Sequence, residues 1–438
     1  MGLFDLLRRL LFGAPASPTD TAGSSPAPRA SQMPVAPKSL PVATPAGKRG
    51  PARKLPPFRY QSKPRRTSPK AERVARRPYT FAAPTALGEY LDLSTDADLG
   101  LLDHLGLPRL QTPADIAEWL EIPLGRLAWL SGRFFENHKP QSERSAHYNF
   151  RWLKKRSGGH RLIESPKKQL KAVQEKILRE ILDKADAHPR AFGFIAGRSA
   201  ILNAREHVAP YVLLKFDLEN FYPSVRYSRV VAIYRTLGFS RAAAIWLARL
   251  TTSAVPSSMS FPGGDPYGLN PYLSRHLPQG APTSPALANM SAYGLDVRLT
   301  GLARSFGVTY TRYADDLTFS GDQKFAGALR DFIPLTETII RKERFFLNVS
   351  KRRIIRRSGR QTVTGVVVNQ HPNLARAEFD RLKAILFNCV RLGPSTQNRT
   401  NHPQFAAHLQ GRIAHAASIN PSRAARLRAL YDRIDWSK

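Results

Sequence analysis

Apolar residues recur along the chain at two spacings, and each spacing predicts a different kind of element. The segments "TPADIAEWLEIPLGRLAWL" and "LKAVQEKILREIL" place their apolar residues on one side of a helix. In the second segment that face would contain four apolar residues between Leu170 and Ile181. Two strand-like runs joined by Gly158-Gly159 in "YNFRWLKKRSGGHRLIESP" instead predict a hairpin.

Two further strand-like runs end in carboxylates. "YVLLKFDLENFYPSV" looks like a buried strand from Tyr211 to Phe216 that ends in Asp217, while "GVTYTRYADDLTFSG" has apolar and β-branched residues on both sides of Ala314. The second pattern predicts a tight hairpin with Asp315 and Asp316 at its tip. Each acid alone has an ordinary explanation, as a helix cap or a turn former. Turn formation, however, does not require carboxylates at the ends of both strands.

The segment after residue 372 returns to helical spacing. Phe379, Leu382, Ile385, Leu386 and Cys389 would lie on one face of a helix. "NPSRAARLRALY" predicts a last helix that starts at Asn-Pro and is rich in arginine. We therefore expect a helical unit over residues 373–438.

The charge of the chain points to a polyanionic partner. Its 438 residues carry 67 Lys and Arg against 33 Asp and Glu, a net charge of +34, and 42% of them are hydrophobic, enough for a sizeable core. Nucleic acid is the leading partner, although a basic protein that rests on ribosomes or membranes has the same charge. The single cysteine excludes an internal disulfide and a Cys-based zinc site, which fits a reducing cytosol.

The N-terminal region differs in composition from the rest. Residues 1–80 hold 14 of the 35 prolines, with 16 Lys and Arg against 3 acids, so they bury too little apolar surface to fold alone. We expect a disordered basic tail over residues 1–84 and a helical unit over 85–145. The start, "MGLFDLLRRLLFG", suits a short amphipathic helix, but we expect neither a signal peptide nor a membrane span.

Three carboxylates at strand ends suit a hard divalent cation. Mg²⁺ takes oxygen ligands and usually binds through one or two carboxylates plus substrate phosphates. Two such ions about 3.5–4 Å apart activate an attacking hydroxyl and stabilise the leaving oxygen of a displacement at phosphorus. Asp217, Asp315 and Asp316 are therefore candidate ligands for two Mg²⁺ ions, and the basic surface would hold the nucleic acid.

Taken in order, these elements resemble the reverse transcriptases, whose hallmark is a Tyr-x-Asp-Asp hairpin paired with an upstream strand that ends in aspartate. "LPQGAPTSPALANM", residues 277–290, is similar to the family's Gln-Gly-x-x-x-Ser-Pro element. The resemblance spans roughly residues 145–438. It implies an α+β right-hand polymerase of fingers, palm and thumb with an antiparallel palm sheet. Residues 146–372 would form the fingers and palm, and residues 373–438 an RNA-binding thumb.

Two shorter motifs resemble the retron reverse transcriptases in particular. "LNAREHV" carries Asn203 and His207 in an Asn-Ala-x-x-His arrangement, and "QTVTGVVVN" carries Val363, Thr364 and Gly365. A polar helix surface and a strand bulge are the ordinary interpretations. The resemblance implies that these residues bind a dedicated structured noncoding RNA. It also implies priming from a guanosine 2′-hydroxyl, a branched RNA-linked DNA product and, in many such systems, antiphage defence with an effector protein.

The resemblance also assigns roles at the metal site. Asp217 and Asp315 would hold the metals, Asp316 would be a ligand or a support, and the Leu218 carbonyl would complete one shell. Tyr222 stands at the family's steric-gate position, where an aromatic ring crowds a ribose 2′-hydroxyl and so favours deoxynucleotides.

Four further residues would contact the incoming nucleotide. Gln279 would touch its sugar and triphosphate. Lys155 and Arg161 match the fingers contacts to the triphosphate, with Lys154 as an alternative to Lys155 by a one-residue shift, although a solvated basic hairpin explains them equally well. Lys351 falls where polymerases often place a lysine that protonates the leaving pyrophosphate; an ordinary basic surface residue is the alternative.

We thus expect a cytoplasmic retron reverse transcriptase that uses dNTPs and two Mg²⁺ ions to copy part of its cognate noncoding RNA into an RNA-DNA product. An effector protein is a candidate further partner, and no membrane is expected. The alternatives are another bacterial RNA-directed DNA polymerase with a different RNA, and a polymerase-derived RNA-binding protein without catalysis. The basic tail and the Pro/Gly-rich stretch 255–276 depart from the retron pattern.

Overall fold

The computed structural model describes residues 71–135, 139–155, 158–265 and 267–437. None of the helices in these ranges is both long enough and apolar enough to cross a membrane. The amphipathic helix predicted at the N-terminus, and most of the predicted tail, lie outside the described residues.

The boundary predicted for the tail at residue 84 is too late. Strand β1 (Glu72–Val74) pairs antiparallel with β2 (Tyr90–Asp92). The Phe81 ring packs 5.7 Å from the Trp246 ring, and the next residue is buried. Composition alone hid this strand, because three residues are too few to change the average of a proline-rich segment.

The segment that begins at Thr112-Pro113 forms helices, as its spacing predicts. The helices before the first long strands are α1 (Leu99–His104), α2 (Pro113–Trp119) and α3 (Leu124–Leu130). Thr112 caps α2 because its hydroxyl accepts from the Asp115 N–H while the Asp115 carboxylate accepts from the Thr112 N–H. Pro123 separates α2 from α3, since it cannot continue a helix.

The predicted Gly-Gly hairpin is confirmed. Strands β3 (Tyr148–Lys154) and β4 (His160–Pro166) pair antiparallel, and both Gly158 and Gly159 adopt the positive φ that the turn requires. This hairpin is a two-stranded sheet of its own. Helix α4 (Lys168–Glu180) follows and buries the apolar face predicted for it.

A run of helices surrounds one long central strand. The elements in chain order are α5 (Ala200–Arg205), β5 (Val212–Glu219), α6 (Phe221–Ser224), α7 (Tyr227–Thr236), α8 (Arg241–Thr251), α9 (Ser284–Ser291) and α10 (Tyr293–Ser305). The acid-tipped hairpin then follows as predicted, with strands β6 (Thr309–Tyr313) and β7 (Asp316–Gly321).

The remaining elements complete the sheet and lead into the C-terminal helices. They are α11 (Gln323–Lys342), β8 (Phe346–Leu347), β9 (Arg353–Arg356), β10 (Thr362–Val363), β11 (Val366–Val367), α12 (Arg376–Leu392), α13 (Phe405–Ile419) and α14 (Pro421–Tyr431). The predicted final helix begins where expected, because the Asn420 side chain accepts from the Arg423 N–H and Pro421 occupies the first turn.

Strand β5 is the centre of an antiparallel five-stranded sheet. It pairs with β7 on one side, which in turn pairs with β6, and with β8 and β9 on the other. Its side chains alternate between two cores, as the period of a strand requires. Val212, Leu214 and Phe216 enter the core formed with the helices before β6, whereas Leu213 joins a second core with α12, α13 and α14. Cys389, on α12, is buried in that second core.

Candidate active site

Side chains from distant parts of the sequence line one cleft of about 450 Å³ at the end of β5. Most of the residues predicted to bind metal or nucleotide are among them: Lys155, Arg161, Asp217, Leu218, Tyr222, Gln279, Asp315 and Lys351. Asp316 is not a lining residue, although it follows Asp315 directly. The fold therefore brings together the residues that the strand-end pattern and the family resemblance assigned to metal and nucleotide.

The backbone fixes the three carboxylates relative to one another. Asp217 on β5 lies opposite Asp316 on β7 in the antiparallel register. The Leu218 N–H donates to the Asp315 carbonyl at 2.9 Å, which ties the hairpin tip to the central strand. Ala314 makes the turn with φ of 55°, a left-handed conformation that a non-glycine residue seldom adopts. The hairpin tip is thus held against β5 by main-chain contacts.

These carboxylates crowd one another in a partly buried place. Burial, followed by the charges of Asp316 and Asp217, raises the pKa of Asp315 to about 6. Burial and the charge of Asp217 also raise the pKa of Asp316, against the opposing effect of Lys215. Carboxylates that repel one another in this way are stabilised by a cation between them. As carboxylate oxygens, these donors are of the chemical type that hard divalent cations such as Mg²⁺ prefer.

In the described structure a lysine provides positive charge at this point. The Lys351 ammonium donates to both oxygens of Asp217, at 2.8 and 3.0 Å. Within the described residues, no group of three or more His, Cys, Asp and Glu side chains is arranged to hold a metal ion. The predicted lysine thus contacts one of the three candidate carboxylates, from the short 3₁₀ turn Val349–Lys351 next to β8.

The Gly-Gly hairpin brings its positive charges to the same cleft. The pKa of Lys155 is lowered by burial and by Arg161 and Lys351, while Glu219 and Asp217 act in the opposite direction. Lys155 therefore interacts electrostatically with the carboxylate site. Lys154, the alternative, ends β3 and is exposed, and it is not among the residues that line the cleft. The structure favours Lys155.

Tyr222 and Gln279 complete the predicted nucleotide contacts. Tyr222 lies on α6 with its ring 5.6 Å from the Phe221 ring, and burial together with the Asp315 charge raises its pKa to about 12. The tyrosine therefore stays a neutral phenol in the lining of the cleft. The Gln279 carbonyl accepts from the Glu164 N–H of β4 at 2.9 Å, so this residue is fixed to the hairpin.

The family profile of reverse transcriptase (RNA-dependent DNA polymerase) matches residues 153–371, which contain this cleft. The chain belongs to the reverse transcriptase family. It is 40% identical to the retron Mx65 reverse transcriptase of Myxococcus xanthus over 75% of this chain and 73% of that protein. It is 31% identical to the retron Ec86 reverse transcriptase of Escherichia coli over 63% of this chain and 77% of that protein.

These relatives confirm the prediction of a retron-type reverse transcriptase with RNA-directed DNA polymerase activity. A second Myxococcus xanthus relative, the retron Mx162 reverse transcriptase, is 36% identical over 60% of this chain and 54% of its own length. A solved Candida albicans telomerase aligns with 66% of this chain and 61% of its own at 10% identity, with a TM-score of 0.38. Reverse transcriptases generally use divalent metal ions, an RNA template and dNTPs.

The two retron-like motifs lie beside the catalytic sheet rather than in the cleft. Asn203, His207 and Val363 are buried. The His207 ring lies between two hydroxyls, with Nδ1 2.6 Å from Ser320 Oγ and Nε2 2.7 Å from Thr311 Oγ1. Burial lowers the pKa of His207 to about 3, so the ring is neutral. It therefore joins α5 to the acid-tipped hairpin.

The second motif contacts α5, the helix that carries Asn203 of the first, although about 160 residues separate the two motifs in sequence. The Thr364 hydroxyl donates to the Ala200 carbonyl at 2.6 Å, and Thr364 and Gly365 make the β10–β11 turn with φ of 47° and 86°. A strand bulge, the ordinary interpretation of the second motif, does not by itself require this contact. The two motifs of this reverse transcriptase therefore form one structural unit between the catalytic sheet and the C-terminal helices.

Sequence analysis missed a buried ion pair that joins β6 of the acid-tipped hairpin to helix α10. The Arg312 guanidinium donates to both Asp296 oxygens, at 2.8 and 2.6 Å, and both side chains are fully buried. It also donates to the Asn289 side chain at 2.9 Å and to the Ala314 carbonyl at 3.1 Å. An arginine beside the Tyr-x-Asp-Asp sequence was the available signal, but the sequence does not show where its partner lies.

Phe194 was missed as well. Its ring is 59% exposed, lines the cleft and lies 6.3 Å from the Tyr313 ring. A Cβ on Gly193 would lie 2.7 Å from the Ala314 nitrogen, so the neighbouring residue must be glycine for the segment to approach the hairpin tip this closely. Phe194 therefore places a largely exposed aromatic ring in the lining of the cleft.

Proposed function

We propose that this reverse transcriptase copies part of a cognate structured noncoding RNA, primes from a guanosine 2′-hydroxyl and produces a branched RNA-linked DNA. The observation that supports it most is the convergence of the three carboxylates, Lys351 and the hairpin cations on one cleft. The two retron-like motifs, which are joined through α5, support the part of the proposal that concerns a cognate noncoding RNA. Antiphage defence with an effector protein, and a cytoplasmic location, belong to the same proposal.

In this proposal Asp217 and Asp315 hold two Mg²⁺ ions, Asp316 is a ligand or a support, and the Leu218 carbonyl completes one shell. The bound ions would activate the attacking hydroxyl and stabilise charge at the transferred phosphorus. The chain supplies the rest. The Lys351 ammonium contacts Asp217. When Asp217 instead binds a metal ion, Lys351 would be free to donate a proton toward the leaving group.

The remaining contacts would select and orient the nucleotide. Lys155 and Arg161 hold the triphosphate, Gln279 contacts the sugar and triphosphate, and the Tyr222 ring excludes a ribose 2′-hydroxyl. The β3–β4 hairpin would then be part of the fingers, the β5-centred sheet the palm, and helices α12 to α14 the RNA-binding thumb.

Asn203, His207, Val363, Thr364 and Gly365 are proposed to place the cognate RNA and its priming guanosine. Because three of these side chains are buried, their effect on RNA is indirect: they set the position of the C-terminal helices relative to the catalytic sheet. Recognition of a structured RNA depends on shape and 2′-hydroxyl contacts, which such positioning would control.

The decisive experiment is to sequence the nucleic acid that copurifies with the full chain expressed beside its flanking genomic sequence. We expect a short branched RNA-DNA species. Asp217→Ala or Asp315→Ala should abolish its DNA part while RNA still copurifies, because affinity for RNA comes mainly from basic contacts. Asp316→Ala should also impair synthesis.

A debranching treatment that specifically cuts 2′–5′ linkages provides the control, since it should separate the RNA and DNA parts. An unbranched DNA would favour the alternative of a bacterial RNA-directed DNA polymerase with another RNA. Near-normal synthesis by Asp315→Ala would contradict the assignment of the metal site.

A further inference from the structure

The Pro/Gly-rich stretch that departs from the family pattern packs against the β3–β4 hairpin. We call its described residues, 255–265 and 267–276, the buttress. The Phe261 ring lies 5.0 Å from the Trp152 ring and 5.6 Å from the His160 ring, one on each strand of the hairpin. A Cβ on Gly268 would lie 2.3 Å from the Phe261 ring, so the buttress needs glycine there in order to fold over that ring.

A second aromatic residue of the buttress reaches the hairpin backbone. Tyr272 is buried, its ring lies 5.6 Å from the Trp152 ring, and its hydroxyl oxygen accepts from the Leu162 N–H at 3.4 Å. Tyr272 and Val255 form a small apolar core with Leu162. Tyr272 also lines the active-site cleft. The buttress thus extends from the back of the hairpin to the nucleotide site.

The buttress ends in a buried hydrogen-bonded contact with β4. His276 and Glu164 are both fully buried, and His276 Nε2 lies 2.9 Å from a Glu164 oxygen. His276 Nδ1 lies 2.7 Å from the Ser274 carbonyl, which can only accept, so Nδ1 carries a hydrogen. The proton between Nε2 and Glu164 therefore links the two side chains whichever of them holds it.

Glu164 also fixes the residue that is proposed to contact the nucleotide. Its N–H donates to the Gln279 carbonyl at 2.9 Å, and a Cβ on Gly280 would lie 3.1 Å from the Glu164 carbonyl. His276 is itself held to the segment that follows α8, since it exchanges two backbone hydrogen bonds with Ser253. One residue of β4 is thereby joined to the buttress and to the Gln279 segment at once.

We propose that the buttress is a positioning element that sets where Lys155, Arg161 and Gln279 stand relative to the catalytic carboxylates, and hence sets the affinity for the incoming dNTP. The inference rests on the proposed nucleotide-binding role of those residues. A two-stranded hairpin is marginally stable by itself, and this hairpin shares no strand pairing with the five-stranded sheet. Packing from outside must therefore hold its orientation.

The first test removes the aromatic contact. Phe261→Ala should raise KM for dNTP about fivefold in extension of a generic primed RNA template, with kcat within about twofold, because loss of binding contacts that are equal in ground and transition states raises KM alone. Phe261→Leu, which keeps most of the apolar volume, should restore most of the affinity. Tyr267→Ala is the matched control, because that side chain is 75% exposed in the same stretch; it should match the unsubstituted enzyme.

The second test alters the buried pair without changing its size. In Glu164→Gln the amide can donate to Nε2 of a neutral His276 whose Nδ1 still donates to Ser274, so KM should remain near that of the unsubstituted enzyme. Glu164→Ala leaves the ring without this partner, and KM should rise about as much as in Phe261→Ala. Rescue by the isosteric amide separates positioning from a need for charge.

The outcomes distinguish this inference from the proposed function. If the unsubstituted enzyme fails to extend the primed RNA, or if Lys155→Ala and Arg161→Ala leave KM for dNTP unchanged, the proposed nucleotide site itself fails. If Lys155→Ala and Arg161→Ala raise KM for dNTP but Phe261→Ala and Glu164→Ala leave it unchanged, the buttress does not position the hairpin. The same conclusion follows if Phe261→Ala and Glu164→Ala lower only kcat and the unfolding temperature. Should Phe261→Ala fail to fold, Phe261→Val gives the same KM readout.

Discussion

Tyr222 shows what a single side chain can decide in this cleft. Its ring is half-buried beside Phe221 and close enough to Asp315 for that charge to raise its pKa. We predict that Tyr222→Ala admits ribonucleotides, because it removes the ring that would crowd a 2′-hydroxyl. The measurement compares the kcat/KM values for dNTP and rNTP on the same primed template, and we expect the discrimination to fall by about tenfold or more.

Phe221 provides the control for this prediction. It is buried and packs 5.7 Å from the Phe345 ring, so Phe221→Leu should affect stability more than sugar choice. Unchanged discrimination in Tyr222→Ala would show that the gate lies elsewhere.

Arg312, on β6 of the acid-tipped hairpin, shows that this hairpin depends on partners outside it. Its guanidinium bonds Asp296, Asn289 and the Ala314 carbonyl at once, a geometry that a lysine ammonium cannot reproduce. We predict that Arg312→Lys lowers kcat about ten- to a hundredfold through a small shift of the hairpin tip. Asp296→Ala should lower the free energy of unfolding by about 3–5 kcal/mol, because it leaves a buried charge unpaired.

Pre-steady-state extension kinetics and denaturant unfolding measure the two effects. Arg298→Lys is the control, since Arg298 lies on the same helix as Asp296 but pairs with Glu343 instead. Normal kcat in Arg312→Lys would mean that main-chain contacts alone hold the tip.

Individual site residues differed in how far sequence could find them. Asp217 near the end of β5, Asp315 in the hairpin turn and Asp316 at the start of β7 were predictable because the strands around them are strongly patterned. Arg312 was not, because a charged residue in a strand is ordinarily placed on the exposed face, and only the fold reveals that Asp296 meets it in the interior.

At the scale of elements, the two retron-like motifs form one connection, which we call the joint, between the five-stranded sheet and the C-terminal helices. His207 bonds the hydroxyls of β6 and β7, and Thr364 bonds the start of α5. We predict that Thr364→Val reduces branched-product formation on the native RNA more than extension of a generic primed template, because the joint positions the C-terminal helices rather than the metal site. Product yields on the two substrates measure this difference.

Thr364→Ser is the matched variant, since it keeps the hydroxyl that donates to Ala200 and should retain most of the branched product. Equal losses on both substrates in Thr364→Val would point to a general structural role instead.

Long elements followed from their patterns and short ones did not. The Gly-Gly hairpin, the acid-tipped hairpin and α12 all have enough residues for a period to be visible. Strands β8, β10 and β11 have two residues each, too few to show any period. Strand β8 forms because β5, which is distant in sequence, pairs with it, whereas β10 and β11 pair with each other and are held by the second core.

At the scale of the whole molecule, residues 71–84 form part of the folded structure, although composition predicted that they belong to the tail. A chain that starts at residue 71 should fold and polymerise, but bind RNA more weakly and with a shallower dependence on salt, because it lacks basic residues that release counterions. A chain that starts at residue 85 also loses β1 and the Phe81 contact with Trp246, so its unfolding temperature should fall.

Binding curves at several salt concentrations, with thermal unfolding and a polymerase assay for each chain, test both statements. If the chain that starts at residue 71 fails to polymerise at saturating template, the preceding residues act on the core. If the chain that starts at residue 85 unfolds at the same temperature as the longer one, β1 adds nothing to stability.

The overall arrangement of two cores on the faces of one sheet could not be predicted from local patterns. Strand β5 begins with three consecutive apolar residues, and only the structure shows that Leu213 packs with the C-terminal helices while Val212 and Leu214 pack in the other core. Which helices cover which face depends on long-range contacts, not on local periodicity.

Cys389 makes this molecule convenient for spectroscopy. It is the single cysteine of the chain, it is buried on α12, and burial raises the pKa of its thiol, so at neutral pH it reacts slowly with maleimides and related reagents. Cysteines introduced on exposed positions, one at Lys154 and one on α13 at Gln410, can therefore carry a donor and an acceptor dye without first removing a native thiol. Single-molecule energy transfer between them would follow the hairpin and the C-terminal helices as each dNTP is added.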